Sequence, residues 1–126
     1  QKFLDSILDS LAVGVVVLDG ELDVVVWNVA MEDLFGVRAE ETEGRSFLAL
    51  DIGLPVAEIA PDLHAVFDAA PEDIRGRTVD AINRRGRPLR CRVVARPLRY
   101  GTDADRRLVV LVDPLSTAAV LEGDDP

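Results

Sequence analysis

The sequence predicts an α+β domain: a five-stranded antiparallel sheet with short helices on one face, preceded by an amphipathic helix. Three observations lead there. Two β-branched runs separated by a turn stand near the start, several short helical stretches follow, and three more strand-like runs come after Pro71. Strands grouped in this way, rather than alternating one for one with helices, favour an antiparallel sheet covered on one side. The length fits one domain, since 126 residues of which 48% are hydrophobic bury roughly two thirds of the unfolded surface without disulfide or structural metal.

Each element has its own signal. Phe3, Leu4, Ile7, Leu8 and Leu11 recur at helical spacing, with Asp5, Ser6, Asp9 and Ser10 between them. This predicts an amphipathic helix over residues 1–12. At Val13 the period changes, because VGVVVLD through Asp19 is apolar at almost every position, as in a strand covered on both faces. Asp19-Gly20 supplies a turn, and Val24 to Trp27 completes a hairpin. Asn28 is placed to cap a helix over Val29 to Phe35, which Gly36 ends. Ala30, Met31, Leu34 and Phe35 form its buried side. Ala39 to Glu43 reads as a further helical turn, stopped by Gly44.

The Phe47 to Pro55 stretch is apolar but irregular, with Gly53 and Pro55 as breakers, and is expected to be a loop with a turn. Pro61 suits the first position of a helix reaching Ala69 or Ala70, with Leu63, Val66 and Phe67 as its core face. Strands are then expected over Arg75 to Asn83, Arg87 to Arg99 and Arg107 to Asp113, with a hairpin loop at Arg84 to Arg87. In the middle strand Leu89, Cys91, Val93 and Ala95 alternate with Arg90, Arg92, Val94 and Arg96, so one face is core and the other wet. The organisation is therefore a helix over 1–12, the domain proper over 13–113, and a tail or linker over 114–126.

Charge and composition exclude several functions. The net charge is −9, with 23 acidic and 14 basic residues. Residues 1–73 carry 16 acids against Lys2, Arg38 and Arg45, whereas residues 74–126 carry seven acids against eleven arginines. An acidic total argues against nucleic-acid binding. One cysteine and one histidine cannot build a four-ligand zinc site without carboxylates supplying most of it, so no metal is expected. The early apolar run Leu11 to Leu18 is far short of the roughly 20 residues that span a bilayer. With no signal-peptide pattern and no initial methionine, the chain reads as a piece of a longer cytoplasmic protein without membrane insertion.

The segment VVVLDGELDVVVWNVAMEDLFGV at residues 15–37 resembles the PAS family of sensory domains, in its hairpin, its Trp27-Asn28 pair entering a helix and its Leu34-Phe35-Gly36 close. FLALDIGLPV from Phe47, AINRRGRPLRCRV from Ala81 and Arg96-Pro97-Leu98 together resemble PAS domains attached to bacterial chemotaxis-type receptor methyltransferases and methylesterase/methyltransferase fusions. The likeness spans residues 3–113. It implies a PAS fold and a non-catalytic sensory and dimerisation module in a bacterial signalling protein, regulating a linked methyltransferase or methylesterase. The partners implied are a second copy and further signalling domains in the full chain. Many relatives end their last strand in Asp-Ile-Thr, where this chain reads Asp113-Pro114-Leu115, so Pro114 departs from the pattern that couples the sheet to an output helix.

Catalysis has no constellation to carry it: nucleophile elbow, phosphate loop and nucleotide-binding glycine pattern are all missing. The alternative function is a small-molecule or cofactor receptor that signals through occupancy of its core. Photosensory flavin domains resemble one another in an Asn-Cys pair after Gly-Arg, whereas Gly44-Arg45 is followed here by Ser46-Phe47. Cys91, on a core-facing strand position, reads as an inert small hydrophobe. Haem relatives take an axial histidine from the long helix, and His64 is on the corresponding helix, but at the flank of its apolar stripe. No cofactor is therefore predicted. Trp27, Leu34, Phe35, Phe47, Leu50, Leu54, Leu63, Phe67, Ile82, Val93 and Val110 are the candidates to line the interior, which is expected to be a filled core.

The stronger functional candidate is an association surface. The outer side of the sheet is apolar enough to need a cover. Phe3, Leu4, Ile7, Leu8 and Leu11 are the predicted dimer contacts, with capping of the chain's own sheet as the simpler alternative. Arg90, Arg92 and Arg96 read as solubilising charges on the wet face, or as a dock for the acidic first half of a neighbouring chain.

Overall fold

The computed structural model describes residues 12–68, 74–98 and 106–115, and the features expected at 1–11, 69–73, 99–105 and 116–126 lie outside those residues. Five strands make one antiparallel sheet: β1 (Gly14–Leu18), β2 (Val24–Trp27), β3 (Arg75–Ile82), β4 (Pro88–Leu98) and β5 (Arg107–Pro114), ordered β2-β1-β5-β4-β3. Between β2 and β3 come α1 (Val29–Phe35), α2 (Ala39–Thr42), a single 3-10 turn (Phe47–Ala49) and α3 (Val56–Asp68). The expected α+β architecture is therefore present.

The first hairpin is less regular than its sequence. Val17 pairs with Val26 but Leu18 pairs with Val24, leaving Val25 as the extra residue of a bulge. The bulge turns both Val24 and Trp27 inward, at 2% and 3% exposure, although strict alternation would set them on opposite faces. The turn also differs from expectation. Leu22, not Gly20, takes the left-handed conformation, at φ 64°, while the Asp19 carboxylate accepts the Glu21 and Asp23 amides. Burial of the Leu22 side chain and the bond from the Phe47 amide to its carbonyl, 2.9 Å, offset that strain.

Helix α1 starts and stops where its caps predict. The Asn28 side chain accepts the Met31 amide at 3.1 Å, and Gly36, at φ 72°, donates to the Glu32 carbonyl. Helix α3 instead begins at Val56, and Pro61 lies inside it. The ring leaves the Ala57 carbonyl without its usual donor, and both Ala57 and Pro61 are exposed. The missing bond is thus on the solvent side, while Ile59, Leu63 and Val66 bury the opposite stripe. The 3-10 turn occupies the beginning of the segment expected to be irregular.

The core lies between the helices and one sheet face. Val16, Leu18, Val79, Ala81, Cys91, Val93, Ala95, Leu108, Val110 and Val112 meet Met31, Phe35, Phe47, Ile59, Leu63 and Val66 in one buried cluster. Two ties fix the layers. Arg77 of β3 grips Asp62 of α3 through Nε and Nη2, at 2.6 and 3.2 Å. Gly53 sits so close to the end of β3 that an added Cβ would lie 1.5 Å from the Ile82 carbonyl oxygen.

Candidate functional site

The space between helices and sheet was the first candidate site. Trp27, Phe35, Phe47, Leu54, Leu63, Val93 and Val110 are all buried there, and Leu34 and Leu50 pack against the cluster half-buried. The Trp27 indole N–H is already used, donating to the Val37 carbonyl at 2.8 Å. The Phe67 side chain lies outside the description. Ile82 is a correction to the expected lining: it is 57% exposed, because Val79 and Ala81 fix the inward parity of β3 around it.

The polar groups that reach this interior are occupied with structure. Asn28 accepts the Val15 amide at 2.9 Å and donates to the Val13 carbonyl at 3.1 Å, besides capping α1. Asn83 donates to the Leu34 carbonyl at 3.2 Å and accepts the Arg85 and Arg87 amides, which makes the β3–β4 turn the seat for the end of α1. The sequence places that hairpin loop at Arg84 to Arg87 and Asn83 at the end of the preceding strand, so the anchoring role of Asn83 emerges only from the structure. His64 is exposed on α3, so its imidazole does not enter the interior as an axial haem ligand would. Cys91 is buried, and burial first, then the Asp113 and Asp80 charges, push its thiol pKa up, so the thiol stays protonated.

An open cavity of about 530 Å³ lies elsewhere, walled by α2, the 3-10 turn and the β3–β4 turn. Glu41 and Arg84 bridge two of these walls at 3.0 Å. The Arg38 amide bonded to the Glu41 carboxylate, then Arg84, hold its pKa below the usual value. Arg45, Ser46, Leu50 and Asp51 complete the lining. Apart from Leu50, none of these residues carried a site signal, since the cavity joins segments about 40 residues apart through contacts such as Glu41 with Arg84. Among the described residues no cluster of His, Cys, Asp and Glu could hold a metal.

The outer sheet face has a different character. The registers Val94↔Leu111↔Val15 and Val109↔Val17↔Val26 lay six apolar residues side by side across β4, β5, β1 and β2. Five of them are half-buried, and Val15, although buried, is not part of the core cluster. The described helices all pack on the opposite face. Arg90, Arg92 and Arg96 border this patch along β4. Arg90 pairs with Asp80 at 3.0 Å, while the Arg92 guanidinium lies over Gly76.

A family model described as the PAS fold matches residues 2–114 of this chain. The chain belongs to the PAS family. It is thus a non-catalytic sensory module. Similar solved structures include the PAS domain of an HTR-like protein from Haloarcula marismortui, with 16% identity, 90% of this chain and 89% of that one covered, and a TM-score of 0.68. The PAS domain of Bordetella pertussis BvgS is 20% identical over 98% of this chain and 93% of its own, with a TM-score of 0.66. That of nitrogen regulation protein NR(II) from Vibrio parahaemolyticus is 21% identical over 90% and 99%, with a TM-score of 0.64. At these identities the likeness concerns the fold. No curated protein matches the sequence. Among the described residues of this PAS domain, no helix is long and apolar enough to cross a membrane.

Proposed function

We propose that this PAS domain is the sensory and dimerisation module of a cytoplasmic bacterial signalling protein, regulating a linked chemotaxis-type methyltransferase or methylesterase. The observation that carries the dimerisation reading is the apolar outer face of β1, β5 and β4, on which no described helix packs. A continuous apolar face of this kind marks an association surface. Immediately before β1 stands the amphipathic stretch Phe3, Leu4, Ile7, Leu8 and Leu11, which supplies an apolar stripe to meet it. The methyltransferase link rests on the sequence resemblance of residues 47–56 and 81–98. A change in packing at the outer face reaches the neighbouring domains through the chain ends, because β1 and β5 are paired side by side and lead to the two flanks.

Native mass spectrometry tests the assembly. A bare dimer that becomes monomeric in Ile7→Glu/Leu11→Glu supports the reading, whereas an unchanged mass removes the helix as the contact. Retained extra mass on the purified domain would favour the receptor alternative over a filled core. Tethering the domain to its natural downstream enzyme and finding no change in methylation or demethylation rate when the dimer is broken would sink the regulatory role.

A further inference from the structure

The two edges of the sheet differ. β2 closes one side with four residues and a bulge, a form that discourages further pairing. β3 closes the other with eight residues, registered on β4 without a break. The Asn83 amide donates to the Arg87 carbonyl across the turn, so the odd-numbered residues of β3 bond to β4 while the even-numbered ones turn their amides and carbonyls outward. Ile82 shows this: its amide donates to the Gly53 carbonyl at 3.0 Å, which closes that end of the edge. Gly76, Thr78 and Asp80 are exposed, and among the described residues no bond takes their outward backbone groups. A regular edge left open in this way is a template for another strand.

The neighbouring side chains select that strand. Asp113 stands across from Arg92 in the β4–β5 register, yet the Arg92 guanidinium lies on the other side, over Gly76, where a Cβ would be 2.7 Å from Nη2. Set antiparallel to β3 of a second copy and centred on Thr78, the edge brings Asp80 of that copy opposite Gly76, about 5 Å from the place of the missing Cβ. Arg92 then reaches a carboxylate across the join. Asp80 pairs with Arg90 at 3.0 Å, yet its side chain is 77% exposed and has room for a second cation. The neighbouring registers fail: one sets Arg77 against Arg77 of the other copy, and the other sets Gly76 against Ile82, whose amide Gly53 already holds. The favoured register also brings Ile74 toward Ile82 of the other copy, and these are the most exposed large hydrophobic residues described, at 52% and 57%.

We infer that β3 is a further association surface whose partner is β3 of another copy. The two edges join antiparallel about Thr78 into one continuous sheet, with backbone bonds supplying the attachment and Arg92 with Asp80 of the other copy setting the register. The surface is an edge and not the outer face, so it stands whether or not the dimer reading above does. A contact of this length is small among stable interfaces, and it forms as the concentration rises. If the chain is already dimeric through its outer face, each dimer presents two such edges and the assembly grows by side-by-side addition.

Sedimentation equilibrium from micromolar to millimolar protein tests this, with Thr78→Pro as the first variant. The amide of residue 78 faces away from β4, so proline removes an edge donor and no bond of the sheet itself, and circular dichroism checks the fold. The mass of the natural chain is expected to reach at least twice its low-concentration value, while that of Thr78→Pro stays at it. A natural chain whose mass does not climb, or a folded Thr78→Pro that climbs equally, overturns the edge contact. The low-concentration mass itself, one chain or two, bears only on the dimer reading. Asp80→Arg and Arg92→Asp keep the test open if the proline variant does not fold. Each alone sets like charges across the join and is expected to associate about tenfold more weakly. Mixed in equal amounts they restore both pairings, and the natural behaviour returns. Single charge variants that associate as strongly as the natural chain, or a mixture no stronger than either alone, overturn the pairing of Arg92 with Asp80 and the register with it.

Discussion

Asn28 and Val15 are joined by two hydrogen bonds of opposite sense: the Asn28 amide donates to the Val15 carbonyl at 3.2 Å, and the Val15 amide donates to the Asn28 side-chain oxygen at 2.9 Å. The same side chain caps α1 and holds the Val13 carbonyl. One residue therefore fixes the start of β1, the start of α1 and the point where the N-terminal segment enters the domain.

Replacing Asn28 by alanine removes the cap and leaves the buried Val15 amide without its side-chain acceptor. The expected loss is about 2–3 kcal/mol, the sum of a cap and an unsatisfied buried donor. Asn28→Asp keeps the acceptor oxygen but presents a carboxylate to the Val13 carbonyl, so it is expected to fall between the two. Urea denaturation of the three proteins decides this, and equal midpoints for the natural chain and the alanine variant would refute the clamp.

Gly53 and Gly86 separate steric from conformational cost. Both have positive φ, 88° and 80°, but an added Cβ meets the Ile82 carbonyl at Gly53 and nothing within 4 Å at Gly86. Gly86→Ala is expected to cost about 1 kcal/mol from the left-handed backbone alone, and Gly53→Ala about 3 kcal/mol or more once the overlap is added. Thermal melts that rank the two variants in the other order would contradict the close approach of Gly53 to β3.

Glu41 makes the domain acid-sensitive at a defined place. Its carboxyl is held below the ordinary glutamate value, chiefly by the Arg38 amide and then by Arg84. A carboxylate with a depressed folded pKa contributes stability that is complete above its unfolded value and is lost as pH falls through the folded one. Glu41→Gln is therefore expected to flatten the stability profile below about pH 4.5 and to leave the slope above about pH 6 unchanged. Denaturant titrations across that range check it, and parallel profiles for the two proteins would rule it out.

Cys91 is expected to resist a thiol reagent in the folded domain and react fully on unfolding. Burial raises its pKa and denies access. Rapid labelling of the native protein with an aromatic disulfide reagent at pH 8 would show that β4 opens locally.

Much of the fold was legible because its signals are local. Asn28 before a helical stretch and Gly36 after it mark α1 regardless of what surrounds them, and the alternation around Cys91 fixes which side of β4 is core. Where neighbours in space decide, the residues alone fell short. Trp27 and Val24 face the same way only because a bulge at Val25 adjusts β2 to β1. Ile82 looks like core until β3 is registered on β4, and the cavity beside Glu41 and Arg84 exists only once the hairpin has docked on α1.

By itself, then, the sequence determined the class of domain, the order of its elements, the caps of α1 and the core side of β4, since each of these follows from short-range spacing and backbone preference. Only the tertiary structure decided that α3 runs through Pro61, that His64 faces solvent, that Leu22 rather than Gly20 takes the left-handed turn and that Arg92 and Arg96 border an apolar face. Those outcomes depend on which surfaces are buried against one another, and burial can override a local preference by more than the preference itself is worth.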